Sequence, residues 1–307
     1  TTEIYTLSLH DALPILHRQR HSDCSVGSQG QCVAGQGAGA ANYSKALRPA
    51  VRFASLGSGS KGNGTLVAAG NTLLLVDCGF SAREAEYRMG RLGVSAAELS
   101  GVLVTHEHAD HVRGVGALAR RFKLPIYATP GSFSGMRNGR HDTTRCECVE
   151  VTPGLSFSIG DIDCMPVAVP HDARQPCQYV FEYCRRTLGV LTDLGSISAA
   201  VVGNYAECDG LLLECNHDPQ MLLNGPYPLT LKRRVGGPRG HLSNQQAATL
   251  LERCNIDRLQ HLVLSHLSEQ NNTPAHASEC IERVLEQGKQ RIRVASQGLG
   301  FDWLELV

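Results

Sequence analysis

His106-Glu107-His108-Ala109-Asp110-His111 is the stretch that decides how this chain is read. Three imidazoles and a carboxylate fall within six residues, short enough to wrap around two adjacent metal ions. Just before them, Gly101-Val102-Leu103-Val104-Thr105 is apolar and β-branched, the pattern of a buried strand. Just after, residues 112–122 carry apolar side chains at helical spacing. The donors therefore sit on the turn from a strand end into a helix, where side chains can converge on one point. The alternative is a loop of solvated histidines, and the alternation of three His with an Asp speaks against it.

Four more polar residues close apolar runs. Asp77 follows Leu73-Leu74-Leu75-Val76, and His171 follows Pro166-Val167-Ala168-Val169-Pro170. Asp193 follows Gly189-Val190-Leu191-Thr192, and His266 follows Leu262-Val263-Leu264-Ser265. Any one alone reads as a cap or turn residue. Beside the first motif, they read as a site built on strand ends.

Strands are predicted over 51–56, 65–69, 72–77, 125–129, 210–215, 261–265, 291–294 and 301–306, with a meander over 146–151, 155–159 and 162–169 and a hairpin over 178–192. Helices are predicted over 81–92, with Ser81 as N-cap and Gly93 beyond the end, and over 244–254 and 275–286. This mixture implies an α/β (α+β) fold in which two sheets pack together with helices outside. Residues 1–48 are different. The segment 27–41 is rich in Gly, Ala, Gln and Ser without periodicity. Tyr5-Thr6-Leu7-Ser8-Leu9-His10-Asp11-Ala12-Leu13-Pro14-Ile15 is similar to a peptide produced by accidental translation of sequencing-adapter DNA. The expectation is a disordered, non-native leader over 1–48 and one folded domain over 49–307.

A hydrophobic content of 42% over 307 residues supports a sizeable core. The formal net charge is zero, so no global field recruits nucleic acid and any such contact is local. Twelve cysteines in a chain this long, without a Cys-x-x-Cys pair, read as free thiols of a cytoplasmic protein and not as a disulfide scaffold. No run of about eighteen apolar residues occurs, so no membrane span is expected.

Taken in order, Asp77, His106-x-His108-x-Asp110-His111, His171, Asp193 and His266 resemble the five motifs of the metallo-β-lactamase superfamily, whose fold is a four-layer αββα sandwich. The local wording is similar to the YycJ/WalJ family: Gly57-Ser58-Gly59-Ser60-Lys61-Gly62-Asn63-Gly64, Thr192-Asp193-Leu194-Gly195, Glu214-Cys215-Asn216-His217-Asp218, Gly240-His241-Leu242-Ser243-Asn244, and His266-Leu267-Ser268 with Asn271-Asn272. The spacing of the last three also resembles ribonuclease Z and related phosphodiesterases. The resemblance implies two divalent metal ions, zinc or manganese foremost with iron open. The first would be held by His106, His108, His171 and Asp193, the second by Asp110, His111, His266 and the same bridging Asp193. Asp77 would orient a ligand imidazole. Dinuclear β-lactamases carry a Cys where this chain has Asp193, which argues against lactam chemistry.

The activity implied is phosphodiester hydrolysis by a hydroxide bridging the two ions, with DNA cut from an end. The leaving alkoxide needs a proton. His217 and His241, flanked by Glu214, are the candidate general acids, each readable also as a structural histidine. Between them lie Lys232-Arg233-Arg234 and Arg239, candidate phosphate contacts or a solvated basic loop. The 57–64 turn with Asn63 is a further candidate for approach to a phosphate. The competing expectations are a small-molecule hydrolase acting on a thioester, lactone or cyclic phosphodiester, and a binding protein that keeps the fold without catalysis.

Overall fold

A computed structural model describes residues 50–138, 141, 143–285 and 291–307. The expected 1–48 leader lies outside the described residues, as does the end of the helix expected over 275–286. Two seven-stranded sheets form the centre. The first runs β14 (Phe301–Leu306), β1 (Val51–Gly57), β2 (Gly64–Ala69), β3 (Thr72–Val76), β4 (Gly101–Leu103), β5 (Ile126–Ala128) and β6 (Cys148–Glu150). The second runs β13 (Ile292–Val294), β12 (His261–Ser265), β11 (Gly210–Glu214), β10 (Arg186–Leu191), β9 (Cys177–Tyr183), β8 (Ile162–Ala168) and β7 (Phe157–Ile159). In both, one half is antiparallel and the other parallel, the parallel halves being β3 to β6 and β10 to β13.

Strands such as β3, β11 and β12 are apolar at successive positions because both of their faces are covered. Leu74, Val67 and Phe53 of the first sheet meet Leu212, Val263 and Tyr179 of the second. On the outer face of the first sheet, Leu75, Leu66 and Val102 pack on Met89 of α1 (Ala82–Arg91), Leu118 of α3 (Val115–Phe122) and Phe133 of α4 (Pro130–Asn138). On the outer face of the second, Leu213, Leu191 and Leu264 pack on Tyr205 of α5 (Ala199–Tyr205), Leu250 of α8 (Asn244–Leu251) and Ile281 of α9 (Pro274–Glu282). The layers are thus helix, sheet, sheet, helix. No described helix is long and apolar enough to cross a membrane. The ten cysteines among the described residues are free thiols.

Three local expectations need correction. The helix expected over 112–122 is broken: α2 (Ala109–Val112) stops before Gly114 and α3 follows. A Cβ at Gly114 would lie 2.3 Å from the Phe80 carbonyl oxygen, so the chain must turn there to pack on the 77–80 loop. The helix therefore begins at Ala109, and Asp110 and His111 ride on its only turn instead of on a loop. The meander expected over 146–169 is also not one unit. β6 pairs in parallel with β5 in the first sheet, whereas β7 and β8 form a hairpin in the second. Periodicity locates a strand but not its partner. Finally, the basic run Lys232-Arg233-Arg234 lies not in a loop but in the short helix α7 (Leu229–Val235), after α6 (Pro219–Asn224).

The 77–80 loop is stitched to α2 by Cys78 N–H donating to His111 O (2.7 Å), and to the 57–64 turn by Gly79 N–H donating to Asn63 O (2.8 Å), while Asn63 N–H donates to Asp110 O (2.8 Å). At its centre, a Cβ on Gly79 would land 1.7 Å from the Asp110 carbonyl oxygen, a main-chain clash that no rotamer relieves. Gly79→Ala is accordingly expected to destabilise the protein by more than about 4 kcal/mol, read as a fall in the urea midpoint at an unchanged m-value.

Candidate metal centre

Asp77 and most of the donor residues cluster at one end of the two sheets because they follow strands, while His108, Asp110 and His111 sit at α2. Asp77 follows β3 and His106 follows β4; His171 follows β8, Asp193 β10 and His266 β12. Asp77 (φ 60°) and His266 (φ 54°) occupy the left-handed region, unusual for residues with side chains. Hydrogen bonds hold them there. Asp77 N–H donates to Leu103 O (2.8 Å), and His266 N–H donates to Ser58 Oγ (2.8 Å). Strain retained at two strand ends of one cluster fits a functional constraint.

Four of the imidazoles are held through Nδ1. His111 Nδ1 donates to Asp77 Oδ2 (2.8 Å). His106 Nδ1 lies 3.0 Å from Thr105 Oγ1, which itself donates to Asp77 Oδ2 (2.8 Å). His171 Nδ1 donates to the Gly240 carbonyl (2.9 Å), and His266 Nδ1 meets Glu214 Oε1 (3.0 Å). The tautomer this sets leaves Nε2 of all four with a lone pair for a ligand.

The free atoms converge in groups. His106 Nε2 is 3.0 Å from His108 Nδ1, which is 3.4 Å from His171 Nε2. His111 Nε2 is 3.7 Å from Asp110 Oδ2, itself 3.8 Å from His266 Nε2. Asp193 lies between, its Oδ2 3.3 Å from His111 Nε2 and its Oδ1 3.3 Å from His266 Nδ1. His106, His108 and His171 form one set of potential donors; Asp110, His111 and His266 form another; Asp193 joins His106 and His111 in a third, and Glu214, His241 and His266 in a fourth.

Two observations show that this donor set suits a divalent cation. Asp193 Oδ2 and His266 Nε2 are buried without a hydrogen-bond partner, an arrangement that costs free energy unless a cation is bound there. The carboxylates also demand positive charge. Burial alone would lower the pKa of His111, yet Asp193, Asp77 and Asp110 outweigh it and raise it to about 9. His106 lacks that support, and burial holds it well below the usual range, neutral as a ligand must be. Since Asp77 fixes His111 directly and His106 through Thr105, Asp77→Ala is expected to weaken metal affinity about 10- to 100-fold, measurable by competition with a chromogenic chelator.

The second half of the site is a cavity of about 350 Å³ open to this cluster. His241 lines it. Its Nδ1 meets Glu214 Oε1 at 2.7 Å, and Glu214 Oε2 accepts from Leu194 N–H and Leu242 N–H, both at 3.0 Å. One carboxylate thus holds both His241 and His266. Burial opposes charging His241, but the Glu214 carboxylate raises its pKa above the ordinary histidine value. His217 is placed otherwise. Its ring is buried, its Nδ1 has no partner, it does not line the cavity, and burial pushes its pKa down to about 4.

Of the four basic residues singled out, Arg234 alone lines the cavity. Lys232 Nζ is tied to the Leu223 carbonyl (2.6 Å), and Arg233 and Arg239 are exposed elsewhere. Asn63 is buried and donates through Nδ2 to Gly59 O (3.1 Å), with the same nitrogen 3.0 Å from His111 Nε2; it braces the 57–64 turn and does not line the cavity. Glu107, inside the first motif, turns away to accept from Arg174 N–H (2.9 Å). Sequence reading missed Asp172, whose Oδ1 lies 3.5 Å from His171 Nε2 and whose Oδ2 accepts from Arg234 Nε (2.5 Å). Its position directly after His171 was the available signal.

The profile of the beta-lactamase superfamily domain matches residues 72–267. The exodeoxyribonuclease YycJ of Bacillus anthracis is 35% identical over 77% of this chain and 90% of its own length. The exodeoxyribonuclease WalJ of Streptococcus pneumoniae is 33% identical over 82% of this chain and 92% of its own. Among solved structures, the metallo-beta-lactamase fold protein YhfI from Bacillus subtilis superposes with a TM-score of 0.66 at 18% identity, covering 83% of this chain and 99% of that one. With the αββα layers and the His/Asp cluster, these matches make the chain a member of the beta-lactamase superfamily, in the YycJ/WalJ family of metal-dependent hydrolases.

Proposed function

We propose that this protein is a dinuclear metal-dependent phosphodiesterase that removes nucleotides from DNA ends in the cytoplasm. One observation carries the reading: Glu214 anchors His241 at the cavity while also anchoring the cluster imidazole of His266. A metal site can use His241 as a donor beside Asp193, Glu214 and His266, but it does not need a protonated imidazole at the cavity. A hydrolase whose leaving group is a poor one does, because the departing alkoxide must be protonated. The names of the YycJ and WalJ relatives favour DNA as the substrate.

Two divalent ions, when bound, supply Lewis acidity toward the phosphoryl oxygens and the ionisation of an attacking water near neutral pH. The chain's own residues do the rest. Asp77, Thr105, Gly240 and Glu214 orient the donor imidazoles. Water adds to phosphorus as the phosphorus–oxygen ester bond breaks, and His241 passes its proton to the departing oxygen, then regains one from solvent. Glu214 stabilises the charged imidazole before transfer and holds its plane. Arg234, fixed by Asp172, meets a neighbouring phosphate at the cavity wall.

Arg234→Ala is expected to raise the KM for an oligonucleotide about tenfold and reduce the salt slope of binding by about one. Arg233→Ala, outside the cavity, should change both far less. The reading as a whole is tested by offering the metal-loaded protein end-labelled DNA, RNA and a panel of thioesters and lactones. Release of mononucleotides from DNA is the expected result. Turnover of the small esters alone would assign the site to small-molecule hydrolysis.

A further inference from the structure

Above the donor cluster, the cavity has a wall that phosphate chemistry does not require. Tyr227, Leu231 and Leu267 are among the residues that line the cavity, as are Ser60, Asn216 and Ser268. Tyr227 is fixed in place by its neighbours. It stands between Pro226 and Pro228 in the link from α6 to α7, so the backbone on either side has little freedom. Gly225, just before, seats this link closely on the 268–272 loop: a Cβ there would lie 2.5 Å from Asn271 Oδ1. A half-buried aromatic ring on so restrained a backbone, beside a phosphoryl-transfer centre, is a stacking surface whose position is largely set in advance.

Resting on the phosphodiesterase reading, we infer that the cavity takes one unpaired nucleotide at a strand end, its base stacked on Tyr227 between Leu231 and Leu267. About 350 Å³ has room for one nucleotide. The reacting phosphate must descend to buried donors such as His266 and Asp193. The end nucleotide must therefore leave the duplex stack to enter, which exposes the face of its base to the ring. The polar groups of Ser60, Asn216 and Ser268 accommodate the sugar and the base edge without selecting among the four bases. The subsite sets where on the strand the enzyme works, not which sequence it reads.

The test compares an ordinary oligonucleotide with one whose terminal residues are abasic tetrahydrofuran units, using wild type, Tyr227→Ala and Tyr227→Phe. On the ordinary end, Tyr227→Ala should lose about ten- to a hundredfold in kcat/KM, mainly through KM, while Tyr227→Phe stays near wild type. On the abasic end, wild type should already be slower by a similar factor, and Tyr227→Ala should add no further loss. Equal rates of wild type on the two ends would overturn the subsite, and so would an equal loss for Tyr227→Ala on both. Because the wild-type comparison needs no substitution, it decides the matter even where the alanine variant folds poorly. Failure of wild type to degrade any DNA would overturn the phosphodiesterase reading and the subsite with it; an active enzyme indifferent to the terminal base overturns the subsite alone.

Discussion

Asp193→Ala is expected to lower turnover by at least about a thousandfold and to reduce bound metal, while the protein still folds. Asp193 lies within 3.3 Å of both His111 Nε2 and His266 Nδ1, and its Oδ2 has no hydrogen-bond partner. It is the carboxylate common to the two halves of the cluster. Its removal takes a negative ligand from between the positions the ions would occupy, and Lewis-acid stabilisation there is worth several kcal/mol, about a decade in rate per 1.4 kcal/mol. Asp193→Asn keeps the shape and discards the charge, so it should fail nearly as badly. Elemental analysis and steady-state rates on both variants, with circular dichroism as the check on folding, make the measurement. Full activity in Asp193→Asn would mean that the carboxylate does not bridge.

His241→Ala should lower kcat about 10²- to 10⁴-fold with metal content unchanged, the usual worth of a positioned general acid. The loss should depend on the leaving group. A p-nitrophenyl phosphodiester departs without needing a proton, so the variant should approach wild type on that substrate while failing on DNA. His217→Ala should behave differently, because its ring is buried outside the cavity with Nδ1 unpartnered. It should leave kcat nearly intact and change stability instead. A leaving-group-dependent loss in His217→Ala, and not in His241→Ala, would reverse the assignment.

The clustering of His and Asp side chains was legible in the sequence because most of them, His106, His171, Asp193 and His266 among them, close an apolar run, and the rest lie within five residues of His106. Leu73 to Val76 points to Asp77 and Leu262 to Ser265 to His266, and strand ends in a sandwich are brought together by the packing itself. The two-sheet architecture followed for the same reason: runs such as Leu211-Leu212-Leu213, apolar on consecutive positions, have to be covered on both faces. What stayed hidden depends on partners distant in sequence. Nothing local in Cys148-Val149-Glu150 tells that it pairs with Ile126-Tyr127-Ala128 and not with the strands that follow it. His217 and His241 look alike as loop histidines near Glu214, and the Nδ1–Glu214 contact of 2.7 Å belongs to His241 because the chain returns there after α7. Charge in Lys232-Arg233-Arg234 is plain from composition, but which of the three faces the cavity is set by helical phase in a helix that the sequence did not announce. Asp172 was passed over because an Asp after a strand-end His has the look of a turn residue.

The dinuclear centre is the claim on which the rest depends, and metal stoichiometry tests it most directly. Protein purified without chelators, exchanged into metal-free buffer and analysed by inductively coupled plasma mass spectrometry should carry two divalent ions per chain, with activity lost on their removal and regained as the second is restored. Full phosphodiesterase activity with one ion per chain, or activity unchanged after exhaustive chelation, would contradict it.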